Sequence, residues 1–216
     1  RLLAGQPLVA HVVANAVASG VSDRVVVATD SPSVAEAVNG SKCEVVMTGA
    51  HHPSGTSRVA EVAARLEYAA YDIVVNVQGD EPFLPHAAIR GAVEQVVAGF
   101  DVGTAAVPVD EEAVAKPSLV KVAMGEGNRA LYFSRSPIPF NRSGTPGRYW
   151  QHLGVYAYRP ATLARWMELP RSPLEDAEKL EQLTPLANGL TFGVALLSDP
   201  AMPGIDTEED LERAET

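Results

Sequence analysis

The sequence predicts an α/β protein: three layers, with a mostly parallel central sheet wound by crossover helices. Three observations predict it. Helical apolar stripes alternate with short β-branched runs through residues 7–97, the rhythm of βαβ units. The connections between them are short, and right-handed crossovers then settle most of the topology. Finally, the run Ile73 to Val77 is apolar except for Asn76, and it turns at once into Gln78-Gly79-Asp80-Glu81-Pro82. A strand covered on both faces looks like this, and parallel sheets bind ligands at the carboxyl ends of their strands.

Taken in order, Pro7 to Gly20 carries Leu8, Val12, Val13, Ala16 and Val17 at helical spacing, with Pro7 at the start and Gly20 near the end. Arg24 to Ala28 reads as a strand leading into Thr29-Asp30, and Ser31-Pro32 opens a short helix stopped by Asn39-Gly40. Glu44 to Met47 is the next strand. Gly55 to Ala69 places Val59, Val62, Ala63 and Leu66 on one helical face. The Ile73 strand follows, then a helix over Ala87 to Val97.

From Val102 the pattern changes. Val102 to Val109 is strand-like, and two further strands flank Gly125-Glu126-Gly127-Asn128-Arg129, a hairpin turn. Pro137 to Arg148 is a loop rich in Pro, Gly and Arg. His152 to Tyr158 is a strand, Pro160 opens a helix, and Ser172-Pro173-Leu174-Glu175 has capping-box spacing for another. Thr191 to Leu197 is the last strand and Thr207 to Ala214 the closing helix. The expectation is one domain over residues 1–216, with a smaller hairpin-rich lobe within about 110–160 that serves dimerisation.

With 216 residues and 46% hydrophobic content, the chain can bury a core without disulfides. Its single cysteine, Cys43, forms no internal disulfide and fits a reducing, cytoplasmic setting. No run reaches the roughly 18 apolar residues of a membrane span. A formal charge of −10 argues against broad nucleic-acid binding, which needs excess Lys and Arg. An acidic chain can still hold one polyphosphate if a divalent cation sits between carboxylate and phosphate.

Several stretches have the chemistry for a site, each with a plainer alternative. Asp80 stands where a cation and its phosphate ligand would sit, or it marks an ordinary acidic turn. Asp206, after Gly204-Ile205, lies beside Thr207 at the closing helix; if Thr207 caps the helix, the Asp206 carboxylate is left for a shared metal. His51-His52-Pro53-Ser54-Gly55-Thr56 leads into a helix N-terminus, suited to anionic or polar ligand atoms or simply capped by Ser54 or Thr56. Zinc at the adjacent histidines is disfavoured because consecutive side chains diverge. His152, Gly154, Tyr156 and Tyr158 share one strand face, either a sugar or carboxylate pocket or an aromatic face packed on a helix. Arg135 could meet an acid group. Gly125 to Ala130 has dinucleotide-fingerprint spacing, but a strand follows where a helix is needed, so turn glycines explain it better.

Taken together, Thr29-Asp30, Ser54-Gly55-Thr56, Asn76 to Pro82, Leu131 to Arg135, His152 to Arg159, Leu180 to Leu183 and Gly204 to Leu211 resemble the 3-deoxy-manno-octulosonate cytidylyltransferase family in collinear order. The resemblance implies a nucleotide-diphospho-sugar transferase-like fold. It also implies transfer of CMP from CTP to 3-deoxy-manno-octulosonate (Kdo) for lipopolysaccharide synthesis, a Mg2+ cofactor, and a homodimer. By that likeness Asp80 and Asp206 are the catalytic metal carboxylates, and Ser54, Gly55, Thr56 and Gln78 surround the cytidine. Arg135, His152, Tyr156, Glu181 and Gln182 are candidates for the Kdo pocket. Family members begin with a strand and a loop of Gly, Arg and Lys around the triphosphate. Nothing in this sequence corresponds, so that segment is expected ahead of residue 1. The alternatives are a cytidylyltransferase for another acid sugar such as sialic acid, a nicotinamide-dependent oxidoreductase, and a non-catalytic nucleotide-binding relative.

Overall fold

The computed structural model describes residues 1–142, 147–202, 204–205 and 207–215. A two-residue hairpin, β1 (Leu2–Leu3) and β2 (Gln6–Pro7), leads into α1 (Leu8–Ala18). Then come β3 (Val26–Thr29), α2 (Pro32–Ala37), β4 (Glu44–Met47), α3 (Gly55–Ala63), β5 (Val74–Val77), α4 (His86–Val97) and β6 (Val102–Val109). The second half runs α5 (Glu111–Val114), β7 (Lys121–Met124), β8 (Ala130–Ser134), β9 (Tyr149–Tyr158), α6 (Pro160–Glu168), α7 (Pro173–Glu178), α8 (Leu183–Ala187), β10 (Phe192–Leu196) and α9 (Glu208–Ala214).

β9 is the spine of the six-stranded sheet. One edge pairs antiparallel with β6, which pairs parallel with β10. The other edge is shared. Val155 to Tyr158 pair with β5, whereas Gln151 pairs with Lys121 of β7. The β7–β8 hairpin therefore extends the same sheet, and its turn holds Gly127 at φ +62. Between the two partners Leu153 and Gly154 belong to neither the β5 nor the β7 ladder.

The alternation along β9 builds both layers against the sheet. Leu153, Val155 and Ala157 join Ala88, Ile89, Ala92 and Val96 of α4 in one buried cluster. Tyr156 and Tyr158 join Phe133, Trp166, Leu183 and Phe192 in the other. On the α4 side the approach is so close that a Cβ on Gly103 would lie 1.8 Å from the Ala92 carbonyl oxygen. Only a residue without a side chain allows that backbone contact.

β3 and β4 form a separate parallel pair. No hydrogen bonds join β3 to β5 among the described residues. Between them lies a cavity of about 700 Å³, lined mainly by apolar residues of α1, β3, α3, β5 and α4, including Val12, Val13, Val26, Val62, Val75 and Ile89, with Arg58, Asn76 and Gln78 among its polar ones.

The α/β class holds, but the six-stranded sheet is not mostly parallel. β9 enters between β5 and β6 and runs antiparallel to β5, β6 and β7, leaving only β6–β10 parallel in that sheet among the described residues. Two local expectations are also corrected. The helix expected over 55–69 ends at Ala63, because Arg65 is extended and a 3-10 turn, Leu66–Tyr68, follows. That turn buries Tyr68 against Val46 and Val62 and leaves Leu66 93% exposed instead of on the core face. Ser172 caps α7 through the Leu174 N–H, but the capping box does not form. Glu175 is taken instead by the Thr184 hydroxyl and Arg171.

Candidate active site

The site is built where β5 stops. The Gln78 N–H donates to the Gly154 carbonyl at 3.3 Å, the Glu81 N–H to the Gln78 carbonyl at 3.2 Å, and the Gly154 N–H to Glu81 Oε1 at 3.3 Å. The turn thus docks on β9 in the gap between β5 and β7. A Cβ on Gly154 would come within 2.7 Å of Glu81 Oε1, so the glycine is what admits the turn. The Asp80 carbonyl in turn accepts the Ile205 N–H at 2.8 Å. At Gly204 a Cβ would lie 3.1 Å from the Asp80 carbonyl oxygen and 3.3 Å from the Glu81 carboxyl carbon. The backbone just before α9 is therefore cradled on the acidic turn. Asp206 itself lies outside the described residues. Carboxylate oxygen at a strand's carboxyl end is suitable ligand chemistry for a small hard cation. Among the described residues, no group of three or more His, Cys, Asp or Glu side chains could hold a metal.

The N-terminus of α3 faces the same region. Ser54 is the cap: its Oγ accepts the Ser57 N–H at 3.2 Å, and the Ser57 Oγ accepts the Ser54 N–H at 3.4 Å. That frees Thr56, which is fully buried and donates to Glu181 Oε1 at 2.6 Å. Gln78 Oε1 lies 3.5 Å from where a Cβ on Gly55 would sit. Ser54, Gly55, Thr56, Gln78 and Glu181 are thus gathered in one place. Burial pushes the Glu181 carboxyl above its usual range; the Thr56 and Ser54 hydroxyls pull it back, and Glu175 adds to the rise.

Asn76, the one polar residue of its strand, lies opposite Tyr156 in the β5–β9 ladder. Its amide donates to the Thr56 hydroxyl at 3.5 Å, a long contact. The Tyr158 hydroxyl is buried near the Asn76 side chain but makes no hydrogen bond of ordinary geometry.

The aromatic face of β9 packs on α6: the Tyr156 and Tyr158 rings lie 6.2 and 6.1 Å from Trp166, both edge-on. Tyr156, His152 and Gln182 are all buried. Burial pushes the Tyr156 phenol well up, with Glu181, Tyr158 and Glu81 adding. For His152 the tautomer follows from its partner. The Thr104 hydroxyl has one hydrogen, which goes to the Val155 carbonyl at 2.7 Å. His152 Nε2, 2.9 Å from that hydroxyl oxygen, must therefore carry the proton it donates. Burial holds the imidazole pKa down at about 3, so His152 is neutral at pH 7 and a weak base.

Arg135 sits at the far end of β8. Its Nε donates to the Glu178 carbonyl and its Nη1 to the Pro117 carbonyl, both at 2.9 Å. Its N–H donates to Glu178 Oε2, also at 2.9 Å.

Other expected features are ordinary structure. His52 binds Glu61 at 2.6 Å, with the His51 ring against it. Gly125 to Ala130 closes the β7–β8 hairpin with a 3-10 turn, Glu126–Asn128, and β8 follows where a pyrophosphate site needs an α-helix. Thr104, Lys121 and Glu178 were not singled out by sequence. A lone polar residue in an apolar strand, as at Thr104 and Lys121, was the only signal for the first two.

Residues 1–192 match the protein-family model for Cytidylyltransferase. A 3-deoxy-manno-octulosonate cytidylyltransferase of Gemmatimonas aurantiaca is 50% identical over 222 residues, covering 100% of this chain and 86% of the relative. Its counterpart from Stenotrophomonas maltophilia is 43% identical over 227 residues, covering 100% and 88%. A solved structure of CMP:2-keto-3-deoxy-manno-octonic acid synthetase complexed with CTP superposes with a TM-score of 0.91 at 35% identity. It covers 100% of this chain and 88% of that one.

Proposed function

Because the chain belongs to the cytidylyltransferase family, we propose that it transfers CMP from CTP to the anomeric hydroxyl of Kdo, releasing pyrophosphate in a step of lipopolysaccharide synthesis. One observation carries the reading: the α3 N-terminus, Gln78 and the Asp80 turn with Gly204-Ile205 docked on it all meet at the carboxyl end of β5.

The chemistry is in-line displacement. The acceptor oxygen, giving up its hydroxyl proton to solvent, forms a bond to the α-phosphorus as the bond to the bridging oxygen breaks, and pyrophosphate leaves with that electron pair. The protein mainly positions groups and meets developing charge. The Gly55 and Thr56 N–H groups belong to the first turn of α3, have no intrahelical partner, and suit polar atoms of the nucleotide. Asp80 and Asp206 would hold Mg2+, which when bound neutralises phosphate charge and lowers the pKa of the acceptor hydroxyl. His152, neutral and already donating to Thr104, serves the pocket wall and not proton abstraction. Arg135 keeps three guanidinium N–H groups for the acceptor's carboxylate, two of its five being used on carbonyls.

The strand expected ahead of residue 1 is also part of the proposal. Its support is the cavity of about 700 Å³ and the two unpaired edges, β3 and β5, that border it. One apolar strand between them would join the two sheets and satisfy both rows of backbone groups. Calorimetric CTP titration of the 216-residue chain against a version extended upstream is expected to favour the longer protein by about tenfold or more. Equal affinities and equal Tm would remove this segment from the proposal.

A homodimer and a cytoplasmic location rest on the family resemblance; a monomer mass by light scattering would remove the first. No described helix is long and apolar enough to cross a membrane. The decisive assay is pyrophosphate release by the extended protein with CTP, Mg2+ and either Kdo or sialic acid. Kdo is expected to be preferred by roughly a hundredfold or more in kcat/KM. Preference for sialic acid would move the chain to the other acid-sugar activity, and no release with either would end the enzymatic reading.

A further inference from the structure

We propose that Lys121 is a positioning residue for Arg135: its buried ammonium, together with the Glu178 carboxylate, fixes the guanidinium that meets the acceptor sugar. This rests on the reading of Arg135 just given. Lys121 is fully buried within β7. Its Nζ donates to the Lys116 carbonyl at 3.0 Å, to the Leu119 carbonyl at 2.7 Å, and to the Arg135 carbonyl. An ammonium has three donors, and all three are committed to backbone oxygens.

The three carbonyls are not scattered. Lys116 and Leu119 bracket Pro117, whose own carbonyl accepts Arg135 Nη1. One cation therefore ties together the loop that holds the guanidinium and the backbone that carries it. From the other side, the Glu178 carboxylate accepts the Arg135 N–H, and also the Ser134 hydroxyl at 2.6 Å. Arg135 is thus held at its N–H by an anion and at its carbonyl by a cation. Its Nε is pinned to the Glu178 carbonyl. What remains is one N–H on Nη1 and both on Nη2, charged donors of the kind that pair with a carboxylate.

A merely structural role would not need this chemistry. Burying an ammonium is costly, and an apolar side chain of similar volume often serves a core better. Burial pulls the Lys121 pKa down, Arg135 adds to the fall, and Glu178 opposes it. A compact ammonium with three donors is what three converging carbonyls require; Arg, planar and larger, does not fit them.

The test uses the extended protein with CTP and Kdo, and compares Lys121→Met, Glu178→Gln and Arg135→Met. Lys121→Met is expected to raise the KM for Kdo by about tenfold or more while the KM for CTP stays within about twofold. Its Arg135 Nε–H signal in 15N NMR should lose protection from solvent exchange. Glu178→Gln, at a half-buried position, should move both readouts the same way, and it supplies the test if Lys121→Met does not fold. A rise in both KM values together with a fall in kcat that tracks the folded fraction would overturn the proposal. So would an unchanged Arg135 Nε–H signal in a folded variant. Arg135→Met separates the two ideas. If it leaves the KM for Kdo unchanged, the acceptor role of Arg135 falls, and the NMR readout alone decides whether Lys121 orders its guanidinium.

Discussion

Asp80→Asn in the extended protein is expected to slow turnover by about a thousandfold with Tm unchanged within about 2 °C. The two halves of that expectation come from different atoms. The contact that seats the closing segment is made by the Asp80 backbone carbonyl to the Ile205 N–H, and Asn keeps it. The substitution also keeps size and shape at a half-buried position. It removes the negative charge, which is what a cation-assisted phosphoryl transfer needs at that point. Single-turnover pyrophosphate release alongside a thermal melt checks both halves. A rate within tenfold of the parent would take Asp80 out of the metal site, whereas a lost rate with a collapsed Tm would mean the turn itself had failed. The same reading expects the same loss of turnover from Asp206→Asn.

Sequence legibility was uneven, and the unevenness has physical causes. β3, β4 and β5 were readable because the runs Val25-Val26-Val27, Val45-Val46 and Val74-Val75 are short β-branched segments between turn residues. The face alternation of β9 was readable for the same kind of reason: His152, Tyr156 and Tyr158 on one side follow directly from a period of two. What could not be read was that β9 carries two partners on one edge, because pairing is decided by residues far away in the chain. The early end of α3 was hidden too. Leu66 continues the helical stripe, and only the burial of Tyr68 on Val46 shows why the helix stops.

The site divides along the same line. A helix cap at Ser54 or Thr56 and the polar switch after Val77 are local features and were visible, and the structure chooses Ser54. Glu181 and Gln182 entered only through the family resemblance, since nothing in Leu180 to Leu183 marks a carboxylate that will end up against Thr56. Lys121 and Glu178 were missed because their meaning lies in the Arg135 backbone between them. Fourteen residues of chain separate Lys121 from Arg135, and no periodicity reports that contact.

Glu181→Gln is expected to move stability and activity in opposite directions. Fold and function make opposing demands on this carboxyl. Burial raises its pKa above the unfolded value, and the Thr56 and Ser54 hydroxyls only partly compensate. For an acid raised in this way, the sign is the reverse of a salt-bridged carboxylate. The unfolded chain gives up the proton first, so the native state loses stability as pH rises through 4.5, and the loss is complete above the raised native value. Gln keeps an oxygen to accept the Thr56 hydroxyl and carries no charge. The variant should therefore melt about 2–4 °C higher at pH 7, and that gap should vanish well below pH 4.5. Over the same comparison kcat/KM for Kdo should fall by about a hundredfold, because an acceptor sugar's hydroxyls lose a charged partner in a dry pocket. Melting curves from about pH 3 to 8 beside steady-state rates decide it. A lower Tm at neutral pH would assign Glu181 to holding α3 against the α7–α8 connection. A stabilised and fully active variant would exclude it from the acceptor pocket. A gain in Tm paired with a loss in rate is the result that a buried carboxylate kept for its substrate must give.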